Sequence, residues 1–166
     1  MKKFLGLLII VSTFISCGED IQNDNTGVFR GIKDNGLWDG GNAKATVGVG
    51  SKLTIEAVTL TEVMSLKIPL PAANIDQRNE NSFETHILGT SLTKKASYIL
   101  TTPTDQFVYE TAIGVGDGEV KITQYNGSTI SGTFRFNALN SDPDSEGQPL
   151  VNVQEGIFYR VPVIFP

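Results

Sequence analysis

The chain has 166 residues, of which 40% are hydrophobic and 19% are charged, a balance typical of a folded globular protein. Its 13 basic and 18 acidic side chains give a net charge of −5, which disfavours nucleic acid and anionic lipid head groups as partners. The single cysteine and single histidine exclude a disulfide, a CxxC redox pair and a zinc-type cluster.

The N-terminal segment has the charge and hydropathy pattern of a secretory signal. Lys2 and Lys3 precede an apolar run from Phe4 to Ile15, which is shorter than the roughly 20 residues that a membrane-spanning helix needs. The only cysteine, Cys17, follows this run directly after a small residue. The pattern predicts that residues 1–16 are a signal peptide and do not belong to the fold.

The end of this segment resembles a bacterial lipobox, in which the cysteine is lipidated and becomes the first residue of the mature chain. The matching residues are Phe14, Ile15, Ser16 and Cys17, with Phe14 at the position where leucine is usual. The resemblance implies that lipid on Cys17 binds the protein to a membrane, at about 0.8 kcal/mol per buried CH₂. Signal cleavage would remove two lysines and no acid, which changes the net charge from −5 to −7.

A polar segment, residues 17–27, separates the lipidation site from the first predicted strand. It has no apolar periodicity and is predicted to be a flexible tether that extends up to about 30 Å. Glu19 and Asp20 resemble the surface-export signals of Bacteroidetes lipoproteins, and a merely solvated tether is an equal alternative. We therefore expect an outer-membrane lipoprotein of the cell envelope, either periplasmic or surface-exposed.

Residues 28–166 are predicted to form a single β domain, because apolar and polar residues alternate in short segments separated by turn residues. The predicted strands are Val28–Lys33, Ala43–Val47, Lys52–Thr59, Met64–Ile68, Phe83–Leu88, Ala96–Thr101, Gln106–Ala112, the two arms of Gly118–Ala138, Leu150–Val153 and Ile157–Phe165. Turns are expected at Asp34–Gly36 and Asp39–Asn42, and Trp38 between them is expected in the core.

The regular spacing of these segments, with no amphipathic helix among them, predicts the fold class. We expect an all-β fold, an antiparallel β-sandwich or barrel of about nine or ten short strands. Pro162 predicts that the last strand lies at an edge or is broken, because proline has no N–H to donate to a neighbouring strand.

The clearest strand pattern is a hairpin over residues 118–138, with Asn126 and Gly127 between its arms. A two-residue turn would send the apolar faces of the two arms to opposite sides, because a shift of one residue reverses every side chain. An odd loop with Gly127 in the left-handed conformation is therefore expected. The predicted pairs are Ile122 with Ile130 and Val120 with Gly132.

From Val28 onward, the chain resembles a family of uncharacterised, secreted, β-rich lipoproteins that is common in Bacteroidetes. The resemblance is carried by FRGIKDNGLW, SYIL, the hairpin GEVKITQYNGSTISGTFRFNA and the closing VNVQEGIFYRVPV. The chain departs from the family in an extra residue in the first turn and in ASYIL, where a glycine usually precedes the tyrosine. The resemblance implies a β-rich fold and an envelope location, and it transfers no catalytic residue.

Few residues have the chemistry of a catalytic or metal site. His86 is predicted at a strand end or on the surface, since no GxSxG elbow accompanies it. Gly114–Gly118 is predicted to be a turn, because a strand and not a helix follows it. Asp142, Asp144 and Glu146 are weak candidates for Ca²⁺ ligands, with a solvated loop as the commoner alternative. We predict no catalytic residue and no cofactor.

The sequence therefore indicates a membrane-anchored secreted lipoprotein that acts as a binding or structural module of the cell envelope, and not an enzyme. It identifies neither the ligand nor a protein partner. Two alternatives stay open, an envelope hydrolase acting on a glycan or peptide and a barrel-type carrier of an apolar ligand. The four tyrosines, Tyr98, Tyr109, Tyr125 and Tyr159, are candidates for lining a ligand groove, with packing as the simpler alternative.

Overall fold

The computed structural model describes residues 27–72 and 74–166, which form ten strands and one short 3₁₀ turn at Glu80–Ser82. The strands are β1 (Val28–Lys33), β2 (Gly36–Gly48), β3 (Lys52–Val58), β4 (Glu62–Pro69), β5 (Glu84–Ile87), β6 (Lys95–Thr101), β7 (Gln106–Glu110), β8 (Asp117–Tyr125), β9 (Thr129–Asn140) and β10 (Leu150–Ile164). The all-β prediction is confirmed. Within the described residues, no helix has the length and hydropathy needed to cross a membrane.

The strand pairings follow the chain order and return to their starting point. β1 pairs with β2, β2 with β3, β3 with β4, and β4 with β6. The circuit continues from β6 through β7, β9 and β10 back to β1, and all of these pairings are antiparallel. The sheet is therefore barrel-like, with most of its edges covered by a neighbouring strand.

Two of the positions in this circuit are each shared by two strands. β7 and β8 lie end to end along one edge of β9, since Glu110 pairs with Leu139 and Asp117 pairs with Asn137. β5 pairs with β8, and β6 pairs with β7, so β5 and β6 share the next position of the circuit. The connection between β7 and β8 leaves the sheet as a turn with positive φ at Gly114 and Gly116, which confirms the predicted glycine turn.

The two ends of the barrel differ in the connections that they carry. Four hairpin connections, residues 34–35, 59–61, 102–105 and 141–149, lie at one end, which we call the mouth. The opposite end, which we call the base, holds residue 27 and the turns at 49–51 and 126–128. β1 runs from the base to the mouth, so the six residues of this strand separate Gly27 from Asp34 by about 20 Å.

Aromatic rings fill the interior on the base side. The ring of Phe29 lies 4.8 Å from that of Phe134 and 6.4 Å from that of Phe158. Gly132 makes room for this cluster, because a Cβ at that position would lie 2.5 Å from Phe158 Cζ and would collide with the carbonyl oxygen of Lys121. Any larger residue at position 132 would therefore disrupt the packing of the rings against the backbone.

The hairpin of β8 and β9 has a different register from the predicted one. Ile122 pairs with Gly132 and Val120 pairs with Phe134, so the predicted pairs were wrong by two residues. A bulge at Thr123 shifts the pairing before the turn is reached. Both arms nevertheless bury their apolar faces in one core, and Gly127 has the predicted left-handed conformation with φ of 86°.

The first predicted turn is confirmed and the second is wrong. Asp34 and Asn35 have φ of 48° and 67°, which is the pattern of a two-residue hairpin turn of type I′. Residues 39–42 instead continue β2, with a bulge at Asn42, where φ is 52°. Glycine at position 40 lets β2 continue past the ring of Trp38, because a Cβ there would lie only 2.5 Å from that ring. Trp38 is buried, as predicted.

The last strand is neither broken nor at an edge at Pro162, contrary to the prediction. β10 has 15 residues and is paired with β9 through Pro162, while its final residues run parallel to β2. Two bulges absorb the irregularity, with Glu155 at φ of 51° and Arg160 at φ of 48°. β2, β9 and β10 are longer than the short strands predicted, because bulges allow a strand to continue past a local disruption.

Candidate functional site

One carboxylate at the mouth, that of Glu62, accepts hydrogen bonds from side chains on two other strands. The side chain belongs to the first residue of β4 and is 18% exposed. Trp38 Nε1 on β2 donates to its Oε2 at 2.6 Å, and the hydroxyl of Tyr98 on β6 donates to its Oε1. A buried carboxylate is stable only when such donors replace its water. Glu62 therefore ties β2, β4 and β6 together at the mouth.

A lysine ammonium lies beside this carboxylate without a hydrogen bond to it. Lys33 Nζ is 3.6 Å from Glu62 Oε1, 3.8 Å from Asp34 Oδ2 and 4.9 Å from the centre of the Tyr98 ring. These nitrogen–oxygen distances exceed the 2.7–3.2 Å of an N–H···O hydrogen bond, so the attraction is electrostatic. The Lys33 side chain is 24% exposed, and its N–H groups are available to an acceptor that enters from the mouth.

A cavity of about 260 Å³ opens at this position. Its wall contains Lys33, Asp34, Tyr98, Leu100, Phe107, Tyr109, Glu146, Gly147, Gln148 and Val151. A second depression, of about 400 Å³, shares Phe107 and Glu146 with the first and extends over the acidic loop. The two depressions therefore lie next to each other at the mouth, and half-buried Phe107 belongs to both.

Residues 141–149 roof the cavity and are held by hydrogen bonds within the loop. The Asn140 amide donates to Ser145 Oγ at 2.9 Å and to the carbonyl of Gln148 at 3.2 Å. Gly147 fits closely against the wall, because a Cβ there would lie 2.6 Å from Phe107 Cδ1 and 3.1 Å from the Tyr109 hydroxyl. The loop therefore packs against Phe107 and Tyr109 at Gly147, where a larger residue would not fit.

The two tyrosines of the wall are kept protonated by their surroundings. Burial raises the pKa of Tyr98, and the hydrogen bond to Glu62 raises it further. Burial also raises the pKa of Tyr109, an effect that hydrogen bonding with the backbone of Gln148 partly offsets. Both hydroxyls therefore act as neutral donors at physiological pH.

The mouth carries much of the negative charge of the protein. Among residues 27–72 and 74–166, six of the 15 acidic residues lie at this end, against one of the 11 basic residues. The acids are Asp34, Glu62, Asp105, Asp142, Asp144 and Glu146, and the base is Lys33. Such a field repels anions from the mouth.

The predicted calcium ligands lie in the roof loop and are not gathered around one point. Asp142 Oδ1 accepts the N–H of Asp144 at 3.1 Å, which is a local turn interaction. In residues 27–72 and 74–166, no three histidine, cysteine, aspartate or glutamate side chains are placed to hold a metal ion. The geometry therefore gives the candidates Asp142, Asp144 and Glu146 no support.

The remaining predicted residues lie apart from the mouth cavity or outside the described chain. The predicted lipidation site Cys17 and the predicted signal peptide 1–16 lie outside the described residues, as do all but the last residue of the predicted tether 17–27. His86 was predicted at a strand end or on the surface; it is buried next to the last residue of β5, so the surface alternative was wrong. Its Nε2 lies 3.6 Å from Glu84 Oε2, and burial lowers its pKa.

Sequence reasoning missed Glu62 and Lys33, although one signal for Glu62 was present. Met64, Leu66 and Ile68 alternate inward along β4, and the same alternation extended backwards places Glu62 on the inner face. An acid in the inward phase of a strand requires buried donors, which makes it a marker of a polar network. Lys33 had no comparable signal, because Glu62 and Tyr98 beside its ammonium come from distant parts of the chain.

Comparison with known proteins matches one family. A family model described as a domain of unknown function, DUF6252, matches residues 25–162. The chain matches no curated protein and no solved structure.

Proposed function

The chain belongs to the DUF6252 family, and we propose that it is a lipid-anchored binding module of the cell envelope whose ligand enters the mouth. The base faces the membrane in this proposal, and the mouth faces away from it. Support for the anchor comes from the sequence, in which a short apolar run ends at the only cysteine, Cys17. Support for the binding role comes from the cavity beside Lys33.

The observation that carries the proposal is the direction of β1. The chain reaches the barrel at Gly27 on the base and arrives at the cavity with Lys33, the last residue of the same strand. A tether from Cys17 therefore attaches to the end opposite the cavity. A lipid at Cys17 leaves the mouth accessible to a ligand from the surrounding solution.

The alternative of an apolar-ligand carrier has less support from the described interior. Tyr98, Phe29, Phe136 and Phe158 are the largest of the fully buried side chains. The circuit of paired strands passes through β1, β2, β3, β4, β6, β7, β9 and β10, which are eight positions. A barrel of eight strands has an interior that side chains just fill, or that holds one small ligand. A long apolar ligand would have to displace this core, whereas a small ligand at the mouth would not.

The hydrolase alternative requires a carboxylate that is free to act on substrate. Both oxygens of Glu62 already accept hydrogen bonds, one from Trp38 and one from Tyr98. A general base must instead have an oxygen within reach of the proton that it abstracts. These two hydrogen bonds count against Glu62 as the general base of a hydrolase.

The anchor is tested by cell fractionation of a Cys17→Ala variant. We expect the unsubstituted protein in the membrane fraction and the variant in the soluble fraction, because a lipid attached to Cys17 supplies the membrane affinity. Continued association of the variant with the membrane would contradict the anchor. The binding role is tested separately by screening small fragments against the protein and following the NMR signals of Leu100, Phe107 and Gly147. Binders that perturb only residues away from the mouth would contradict it.

A further inference from the structure

We infer that the mouth takes a neutral ring that bears hydroxyl groups, as in a saccharide. This inference rests on the proposed binding function and specifies its ligand class. It follows from three features of the cavity, which are the spacing of one charged pair, the balance of charge around it and the apolar wall beside it.

The first feature is the gap between Lys33 and Asp34. Lys33 Nζ and Asp34 Oδ2 are 3.8 Å apart, which is too far for a hydrogen bond between them. An oxygen about 2.8 Å from both atoms would fit this separation. Such an oxygen must accept a hydrogen bond from the ammonium and donate one to the carboxylate. A hydroxyl does both, whereas a carbonyl only accepts and an N–H only donates.

The Asp34 carboxylate is held in position for this role. Its Oδ1 accepts the N–H of Asn152 at 2.9 Å, and the N–H of Asp34 donates to the carbonyl of Asn152 at 2.9 Å. The β1–β2 turn is thereby fixed to β10, and Oδ2 remains directed towards Lys33. Preorganised groups of this kind reduce the entropy lost on binding.

The second feature is the charge around Lys33. Its ammonium lies beside the carboxylates of Asp34 and Glu62, and Glu146 belongs to the same cavity wall. One positive and three negative groups repel an anionic ligand, although the ammonium alone would attract it. A cationic ligand would have to approach that ammonium directly. A neutral ligand that hydrogen-bonds to both the ammonium and a carboxylate is repelled by neither.

The third feature is the apolar part of the wall. Leu100 and Phe107 are half-buried and leave apolar surface towards the cavity. The C–H face of a saturated ring can lie on such a surface while its hydroxyls reach the polar pair. The cavity of about 260 Å³ is smaller than the roughly 300–1,000 Å³ of ordinary drug-sized pockets, which indicates a single ring.

The test is a titration of the full-length lipidated protein in detergent micelles, followed by NMR signals of Leu100, Val151 and Gly147. The neutral probes are methyl β-D-glucopyranoside and methyl β-D-galactopyranoside. The matched probes are glucuronate, which is an anion, glucosamine, which is a cation, and cyclohexanol, which has one hydroxyl. We expect saturable shifts at the mouth with at least one neutral pyranoside, and weaker shifts with the other three probes.

Two substitutions test the charged pair directly. Lys33→Met keeps the aliphatic stem and removes the ammonium, and Asp34→Asn keeps the turn conformation and the acceptor for Asn152 while it removes the carboxylate charge. Each is expected to weaken pyranoside binding about tenfold or more, because a hydrogen bond to a charged group is lost or weakened. Lys52→Met, an exposed lysine at the base, is the matched control and should leave binding unchanged.

The outcomes separate the ligand class from the binding role. Shifts at the mouth with glucuronate, glucosamine or cyclohexanol alone would overturn the ligand class and leave the mouth as a binding site. Absence of any shift with both pyranosides would also overturn the ligand class, while the fragment screen decides the binding role independently. Equal pyranoside binding by the protein and both mouth variants would overturn the assignment of Lys33 and Asp34.

Discussion

The base half and the mouth half of the barrel interior are filled by different kinds of contact. On the base side, Phe29, Phe134 and Phe158 pack with ring centres 4.8–6.4 Å apart, and Gly132 supplies the space that they need. On the mouth side, Glu62 accepts hydrogen bonds from Trp38 and Tyr98, and Tyr98 lines the cavity. Shape complementarity stabilises the first half, and satisfied polar groups stabilise the second.

Trp38 belongs to both halves. Its ring packs edge-on against Phe29 with centroids 5.9 Å apart, while its Nε1 donates to Glu62 at 2.6 Å. The two halves therefore differ in how they could respond to a ligand. The rings of Phe29, Phe134 and Phe158 are packed against one another and would have to move apart, whereas a polar half can exchange one hydrogen-bond partner for another.

The largest expected effect is that of Gly132→Ala in the base half. The added Cβ meets the carbonyl oxygen of Lys121, which is backbone and cannot turn aside, so the pairing of β8 with β9 must open. We expect a loss of more than about 3 kcal/mol in the free energy of unfolding, measured by urea denaturation. Gly41→Ala is the control, because its Cβ meets nothing closer than 3.8 Å. A loss for Gly132→Ala no larger than that for Gly41→Ala would contradict the packing account.

The next effect is that of substituting Glu62 in the mouth half. Glu62→Ala leaves the Trp38 N–H and the Tyr98 hydroxyl without their acceptor, and should cost about 2–3 kcal/mol of unfolding free energy. Glu62→Gln should cost less, because its carbonyl oxygen still accepts from one of the two donors. Glu56→Ala, at a partly exposed ion pair with Lys44, should cost less than about 1 kcal/mol. Equal losses at positions 56 and 62 would show that the network adds no stability.

A Trp38→Phe substitution separates the two contributions of this residue. The smaller ring keeps most of the contact with Phe29 and removes the donor to Glu62, so we expect a loss of about 1–2 kcal/mol by the same measurement. In a Glu62→Ala background, the same substitution should cost less, because the hydrogen bond is already absent. Fully additive losses would mean that the indole N–H and the carboxylate are not coupled.

The smallest effect is a pH dependence caused by His86, one of the buried polar residues of the described chain. Burial lowers its pKa below 6.5, while attraction to Glu84 opposes the shift and Lys94 adds to it. The unfolded chain therefore binds a proton at a higher pH than the folded chain. Stability should fall as the pH drops below about 6.5, and should level off below the folded pKa. His86→Leu should remove this slope, and an unchanged slope in that variant would assign it to other groups.

The strands could be predicted from the sequence better than the contacts between them. The alternation of apolar and polar residues located the arms of the hairpin, because a strand that is buried on one face has an apolar residue at every second position. The bulges at Asn42, Glu155 and Arg160 were missed, because these residues adopt positive φ only under the demands of the surrounding sheet. The network of Glu62 was missed for a related reason, since its donors are 24 and 36 residues away along the chain.

The orientation of the two ends at a membrane is tested most directly by a fluorescent dye placed at each end in turn. Val49→Cys and Leu60→Cys introduce thiols at exposed positions on the base and the mouth, separated by the length of β3. A lipidated Cys17 has no free thiol to compete for the dye. With the protein anchored in vesicles that carry nitroxide head groups, we expect stronger quenching of the dye at position 49 than at position 60. Equal quenching, or stronger quenching at position 60, would contradict a mouth that faces away from the membrane.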